Sequence, residues 1–192
     1  YPNAINFEGV HGLETMKWLG REHDQITYDV TIPFIRAVAG PMDYTPGAMC
    51  NAPREEYEPR YSRPMSQGTR CHQLAMYVVY DQPLAMLCDS PTAYEREPEF
   101  TKYLAEIPTT WCKSRCIEGR IGEYVVVQRT AKDGTTYIAG LNGEKEKKRE
   151  KVLEIFPVAF PSIHRVSFTY IALIHFWDYR PSEGVLQNHR RR

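Results

Sequence analysis

Two carboxylates near the start of the sequence, Glu8 and Glu14 in "YPNAINFEGVHGLE", are of the residue type that supplies acid–base chemistry or binds a cation. Six residues of helix would turn the two side chains about 120° apart, and six residues of straight strand would separate them by about 20 Å. Only a bent segment brings both carboxylates to one point, and Gly9 and Gly12 permit such a bend. The spacing therefore predicts a strand end that runs into a loop.

This loop has to be positioned by the segments that follow it in the chain, and the first of these are predicted to be helices. Residues 26–40 contain Pro33, which favours a helix start, so we expect a short helix that begins near Pro33. Residues 40–64 hold five prolines and two glycines without a period, which predicts a long loop. A buried helix is expected to open at Thr69 as its cap and to break near Pro83.

A second amphipathic helix is expected at about residues 94–106, with one apolar side made of Phe100, Tyr103, Leu104 and Ile107. From Ile121 the pattern becomes that of strands, and residues 121–130 and 135–141 predict a β-hairpin with "KDG" as its turn. The switch at about residues 112–120 predicts a domain boundary between an α/β portion and an all-β portion. The later residues are apolar and β-prone, which indicates further paired strands.

The composition excludes several classes of partner. With 42% hydrophobic residues in 192, the chain can bury a core, and 24 basic and 24 acidic side chains cancel to a net charge of zero. This balance gives no electrostatic footprint for nucleic acid or for an anionic membrane surface. The longest apolar run, residues 170–177, is shorter than a membrane span of about 20 residues. We therefore expect no nucleic-acid partner and no membrane span.

The cysteines give no metal motif. The five thiols lack paired CxxC spacing, and Cys112 and Cys116, which have three residues between them, have no histidines at zinc-finger spacing. Buried or incidental thiols are the expected reading. No signal peptide is visible, and the first residue is not Met, so the sequence leaves the compartment open.

Three motifs in order carry a resemblance to a known family: "YPNAINFEGVHGLE", "YDVTIPFIRAVAGPMDYTPGAM" and "RCHQLAMYVVYDQPLAMLCDSP". Together with "IPTTW" and "GEYVVVQR", they make residues 1–141 resemble glycoside hydrolase family 97, the bacterial α-glucosidases and α-galactosidases of Bacteroidetes. The resemblance implies hydrolysis of terminal α-linked sugars from an oligosaccharide substrate and, for this family, a periplasmic location.

The resemblance also implies a fold of the α/β plus all-β class. Residues 1–112 would form the C-terminal part of a (β/α)8 TIM barrel, and residues 117–192 a partial C-terminal β-sandwich domain that diverges from the family after about residue 143. The N-terminal β-sandwich and the earlier part of the barrel would lie outside this sequence. In this family, that earlier part of the barrel supplies the nucleophile or the base. An alternative is a non-catalytic remnant that serves as a sugar-binding or interaction module. A third is that no stable protein forms, because a partial barrel leaves strand edges unpaired.

The family's functional residues carry over to two positions, Glu8 and Glu14, and three further residues are candidate sugar contacts. Glu14 matches the general acid or acid/base, and Glu8 and Glu14 match carboxylates that bind the family's calcium ion (Ca2+). His11 is a candidate substrate contact, as is His23, and either histidine could be a plain loop or core residue. Asp43 faces the sugar or caps its own turn. Without the resemblance, Glu8 and Glu14 read as two surface loop carboxylates.

Two aromatic residues near these carboxylates, Trp18 and Tyr44, could stack on a sugar ring. Large aromatic side chains also fill protein cores, and the sequence leaves that alternative open for both residues.

Overall fold

The computed structural model of this protein describes residues 2–143. In that part of the chain, helices and loops precede a three-stranded antiparallel sheet. The helices are α1 (Gln25–Ile35), α2 (Arg70–Val79), α3 (Pro91–Glu95) and α4 (Pro98–Glu106), with 3₁₀ turns at Leu13–Lys17 and Ala37–Ala39. The strands are β1 (Asn51–Ala52), β2 (Ser66–Gln67), β3 (Lys113–Arg120), β4 (Tyr124–Thr130) and β5 (Thr136–Asn142).

Helix α1 begins eight residues before the proline that the sequence analysis takes as its start. The Asp24 side chain accepts a hydrogen bond of 2.9 Å from the Thr27 N–H and so caps the helix at Gln25. Pro33 lies inside the last turns, where it removes the N–H that would bond to the Asp29 carbonyl. The prediction of a helix beginning near Pro33 is therefore wrong, because this proline is tolerated in the helix interior.

Helix α2 confirms its prediction at both ends. The Thr69 side chain accepts from the His72 N–H at 3.3 Å, and the helix ends at Val79, before Pro83. Its residues from His72 to Val79 are all buried, because α2 packs against β4 and β5 of the sheet. This helix therefore lies at the centre of the described part of the chain.

The segment around residues 94–106 forms two helices where one is predicted. Pro98 occupies the first turn of α4, a position where its missing N–H costs nothing, and α3 ends at Glu95. Leu104 and Ile107 are buried as expected, whereas Tyr103 is exposed. The amphipathic face is thus narrower than the sequence pattern indicates.

The predicted β-hairpin is present as β4 and β5, paired antiparallel from Tyr124 opposite Asn142 to Thr130 opposite Thr136. Gly134 in its turn has φ +88°, a left-handed conformation that glycine adopts without strain. Residues 113–120, which fall in the predicted switch region, form a third strand, β3, on the other side of β4. The switch from helix to sheet thus occurs before Lys113.

One hydrophobic cluster joins the helices to the sheet. Residues of α1 and α2, such as Val30 and Val78, belong to the same buried cluster as Val125, Ala139 and Leu141 of the sheet. The division into domains at residues 1–112 and 117–192 stays a prediction, and the predicted strands beyond 143 lie outside the described residues. No helix within residues 2–143 combines the length and the apolar character that crossing a bilayer requires.

Short parallel pairings order the loops that precede α2. Phe7 forms a parallel bridge with Met42, and β1 pairs parallel with β2. The rest of residues 40–64 has no regular secondary structure, as its prolines predict. The Phe7–Met42 bridge aligns the segment that carries Glu8 and Glu14 with the segment that carries Asp43.

Candidate active site

Glu14 lies in the 3₁₀ turn Leu13–Lys17 and is half-buried. Its Oε2 accepts a hydrogen bond of 2.6 Å from the Thr45 hydroxyl, and the same hydroxyl accepts a 3.0 Å bond from the Leu13 N–H. A loop residue 31 positions later in the chain therefore holds the Glu14 carboxylate by one oxygen.

The two glycines of "EGVHGLE" have different tasks. Gly9 has φ +84°, so it makes the left-handed turn that the sequence predicts. Gly12 has an ordinary φ of −67°, but a Cβ at this position would overlap the Glu14 carboxylate oxygens. Gly9 thus bends the chain, whereas Gly12 leaves room for the acidic side chain.

Glu8 follows the Phe7–Met42 bridge and has an exposed side chain. Arg36, at the C-terminal end of α1, fixes the main chain here by donating to the carbonyls of Phe7 at 2.6 Å and Glu8 at 2.8 Å. The Glu8 main-chain oxygen is thereby already hydrogen bonded. The exposed side-chain oxygens of Glu8 have no such restraint and are available for a ligand.

Asp43 lies on the neighbouring segment, where its N–H donates to the Phe7 carbonyl at 2.9 Å. Burial alternates here: Met42 and Tyr44 are buried, whereas Asp43 and Thr45 are half-buried. Such an alternation indicates that Asp43 and Thr45 share one side of an extended segment. Because Thr45 contacts Glu14, Asp43 lies on the same side of this segment as that contact.

The two candidate histidines flank Tyr28 of α1, each with a ring-centroid distance of 6.1 Å. His11 is exposed, and its N–H donates to the Tyr28 hydroxyl at 2.7 Å. His23 is half-buried, and its Nε2 lies 2.9 Å from the Gln25 side-chain oxygen. Of the two, only His11 presents an exposed side chain beside Glu14.

The two aromatic candidates have opposite environments. Tyr44 is fully buried, so it is a core residue and offers no face for a sugar. Trp18 directly follows the 3₁₀ turn that carries Glu14 and is 59% exposed. The larger aromatic residue is therefore the one that remains free to stack on a ligand.

A buried polar network centred on Asp29 lies beneath these loops and is absent from the sequence-based predictions. Asp29 Oδ1 accepts hydrogen bonds of 2.7 Å from both Gln25 and Tyr44, and Oδ2 lies 3.2 Å from His72 Nε2. Burial, together with the Asp29 carboxylate, holds the pKa of Tyr44 well above its usual range, so the phenol stays protonated and donates.

This network has a structural task. Asp29 is completely buried and its side-chain oxygens have partners, so a substrate cannot reach the carboxylate. The signal in the sequence is an aspartate inside the apolar run "ITYDVTIPF". A carboxylate in such a run has to be paired when the helix is buried.

The oxygen donors of the site suit calcium in type but not in number. Carboxylate oxygens are the ligands that calcium prefers, and Glu8 and Glu14 supply them. Among residues 2–143, no group of three or more His, Cys, Asp or Glu side chains is arranged to hold a metal ion. A calcium shell needs six to eight oxygens, so calcium binding by Glu8 and Glu14 stays a prediction.

A cavity of about 570 Å³ opens beside the same 3₁₀ turn. Leu13 and Lys17 line it, together with Arg63, Arg70 and Arg96, whereas none of the candidate site residues do. The candidate site is thus on the loop surface next to this cavity and not inside it.

No protein-family model matches the chain, but its sequence is similar to those of known proteins. Over 141 residues the chain is 58% identical to a retaining alpha-galactosidase of Bacteroides thetaiotaomicron, a match that covers 73% of this chain and 21% of that protein. It is 30% identical over 140 residues to a probable retaining alpha-galactosidase of Streptomyces bingchenggensis, covering 73% of this chain and 19% of that protein.

Comparison with solved structures also finds glycoside hydrolases. A glycoside hydrolase family 97 enzyme of Pseudoalteromonas sp. strain K8, solved in complex with panose, matches with a TM-score of 0.61 and 26% identity over 76% of this chain and 22% of that one. The chain spans about a fifth of the length of the curated relatives that it matches. It therefore carries a segment of the glycoside hydrolase family 97 enzymes, which confirms the resemblance that its motifs predict.

Proposed function

We propose that this chain is part of a family 97 α-glycosidase that releases terminal α-linked sugars from oligosaccharides, and that it belongs to an enzyme of the α-galactosidase type. The relative with 58% identity is named a retaining alpha-galactosidase. The observation that carries the proposal is the Glu14 carboxylate, which is half-buried and held by one oxygen at a loop. This arrangement suits a general acid, because one oxygen is held while the other can reach a substrate atom.

In this proposal Glu14 works as the acid and then as the base. It donates a proton to the departing glycosidic oxygen while a second carboxylate attacks the anomeric carbon. It then removes a proton from the water that hydrolyses the glycosyl–enzyme bond. Asp29 is too deeply buried to be the second carboxylate, so we assign that carboxylate to another part of the enzyme.

The proposed fold is the C-terminal part of a (β/α)8 barrel over residues 1–112, followed by a β-domain over residues 117–192. The parallel bridge between Phe7 and Met42 supports it, because Glu8 and Asp43 each directly follow a bridge position. In barrel enzymes, active-site residues lie at the C-terminal ends of parallel strands. The positions of Glu8 and Asp43 agree with that rule.

We assign supporting tasks to the remaining candidates. Glu8 and Glu14 would contribute carboxylate oxygens to a calcium ion, which would add positive charge beside the site. His11 and Asp43 would contact the sugar, because they lie on the two loops that meet at the Phe7–Met42 bridge. A periplasmic location is part of the same proposal and rests on the family resemblance alone.

The test uses a chimeric enzyme, in which the matching residues of this chain replace the matched segment of the Bacteroides thetaiotaomicron relative. Glu14→Gln removes the transferable proton, so kcat/KM for an α-linked disaccharide should fall by about 10²–10⁴-fold. An α-galactoside with a dinitrophenyl leaving group needs little protonation and should lose far less. Glu55→Gln, at an exposed residue, is the matched control. An equal loss on both substrates would show that Glu14 is not the acid.

A further inference from the structure

The Thr45 hydroxyl has only one arrangement that satisfies both of its hydrogen bonds. The Leu13 N–H can only donate, so the hydroxyl oxygen accepts from it at 3.0 Å. The single hydroxyl proton is then directed at Glu14 Oε2, 2.6 Å away. This distance lies within the usual range of O–H···O hydrogen bonds, about 2.5–3.0 Å. Oε2 therefore acts as an acceptor, and Oε1 is the oxygen left free.

Thr45 is itself held in a rigid stretch of loop. The preceding residue, Tyr44, is fully buried and donates its hydroxyl to Asp29 at 2.7 Å. The following residue, Pro46, offers its carbonyl to the Tyr77 hydroxyl at 2.8 Å. Threonine also has a stiff, β-branched side chain. The hydroxyl therefore approaches Glu14 from a fixed position.

On its other side, the Glu14 carboxylate lies over Gly12, where a Cβ would overlap its oxygens. Gly12 has φ −67° and ψ 170°, an extended conformation that alanine adopts without strain. Glycine at this position is therefore explained by the space that the Glu14 carboxylate needs and not by the backbone conformation. A side chain at position 12 would therefore force the Glu14 carboxylate to move from the place where Thr45 contacts it.

We propose that Thr45 is a positioning residue for Glu14, which holds Oε2 and thereby directs Oε1 toward the glycosidic oxygen of the substrate. The proposal rests on the proposed function of Glu14 as the acid. A misplacement of about 1 Å at a reacting group can cost about 10²-fold in rate. The loss should affect only the step that needs the proton.

The test is a set of variants of the chimeric enzyme. Thr45→Val keeps the shape but removes the hydroxyl, and we expect kcat/KM for an α-linked disaccharide to fall by about 10–100-fold with KM little changed. For the dinitrophenyl galactoside, kcat/KM reports only the formation of the glycosyl–enzyme, which needs little protonation, and should stay close to the unmodified value. Thr45→Ser restores the donor and should recover most of the loss. Thr109→Val, at an exposed threonine, is the matched control.

Gly12→Ala gives a second measurement that leaves Thr45 in place. The added methyl group displaces the carboxylate, so it should show the same selective loss on the disaccharide. The proposal is overturned if Thr45→Val matches the unmodified enzyme, if it slows both substrates alike, or if serine gives no rescue. When Glu14→Gln is selective and Thr45→Val is not, only this inference fails. When Glu14→Gln is itself not selective, the proposed function fails first.

Discussion

The Tyr80 hydroxyl donates a hydrogen bond of 2.9 Å to the main-chain oxygen of Asp29, 51 residues earlier in the chain. In an unbroken helix this oxygen would accept from the N–H four residues later, but that residue is Pro33. Burial, with Asp29 adding to it, holds the pKa of Tyr80 well above its usual range, so the donor keeps its proton. Tyr80 therefore supplies the hydrogen bond that the proline removes from α1.

Removal of this hydroxyl should destabilise the chain by an amount that depends on Pro33. Tyr80→Phe leaves a buried carbonyl without a donor and should lower the free energy of unfolding by about 1–3 kcal/mol. In a Pro33→Ala background, the new N–H of residue 33 can donate to the Asp29 main-chain oxygen. Tyr80→Phe should then lower the free energy of unfolding by less. Urea unfolding of the four variants measures the coupling. Tyr103→Phe, at an exposed tyrosine, is the control, and equal losses in both backgrounds would contradict this account.

Arg129 of β4 joins the sheet to the end of α2. Its guanidinium donates to the carbonyls of Val78 at 2.6 Å and Val79 at 2.9 Å, which the helix end leaves without intrahelical donors. A third bond of 2.7 Å reaches the Ser114 hydroxyl of β3. The bonds to Val78 and Val79 are buried, so these two carbonyls cannot turn to water instead.

Arg129→Met should therefore lower the free energy of unfolding by about 2–4 kcal/mol. Arg129→Lys should recover only part of the loss, because an ammonium group lacks the planar set of donors. Arg115→Met changes an exposed arginine of β3 and should have little effect. Urea unfolding with the three variants gives the comparison, and a loss for Arg129→Met no larger than that for Arg115→Met would rule out the helix-capping role.

Local signals in the sequence predicted the elements that need no distant partner. The Thr69 cap and the apolar run of α2 define that helix, and the turn at Gly134 defines the hairpin. The start of α1 was missed because a distant tyrosine compensates for Pro33. Strand β3 was missed because its exposed residues show no alternation, and pairing with β4 creates it.

In the candidate site, too, the residues in local motifs could be predicted from the sequence, whereas the long-range hydrogen bonds could not. Glu8 and Glu14 were predicted from motifs that lie within a few residues of each other. The Thr45–Glu14 hydrogen bond joins residues 31 positions apart, and no local pattern marks it. The same is true of the bonds that bury Asp29, since His72 lies 43 residues away. The sequence motifs predict Glu14 as the acid, whereas only the fold shows which residue its carboxylate contacts.

The cysteines should differ in their reactivity toward alkylating reagents. Burial, with Asp89 and Glu14 nearby, raises the pKa of Cys88 to about 12. At pH 8 only about 10⁻⁴ of this thiol is then the reactive thiolate. Cys112 is exposed, so iodoacetamide should modify it first and Cys88 last, as measured by peptide mass spectrometry. In urea the two should react alike, and equal rates in the folded chain would contradict the burial of Cys88.

Glu8→Gln should separate metal binding from proton transfer in the chimeric enzyme. The Glu8 side chain is exposed and carries the proposed calcium oxygens, and an amide is a weaker ligand than a carboxylate. We expect the calcium concentration for half-maximal activity to rise about 10–100-fold, the usual scale for weakening a metal site. Disaccharide and dinitrophenyl substrates should slow by the same factor, because the task proposed for Glu8 is to hold the ion and not to move a proton. Excess calcium should restore both rates, and titration calorimetry should show the weaker binding directly.

Glu55→Gln is the control for the loss of one negative charge. An unchanged calcium requirement in Glu8→Gln would remove Glu8 from the metal site and leave it as an exposed loop residue.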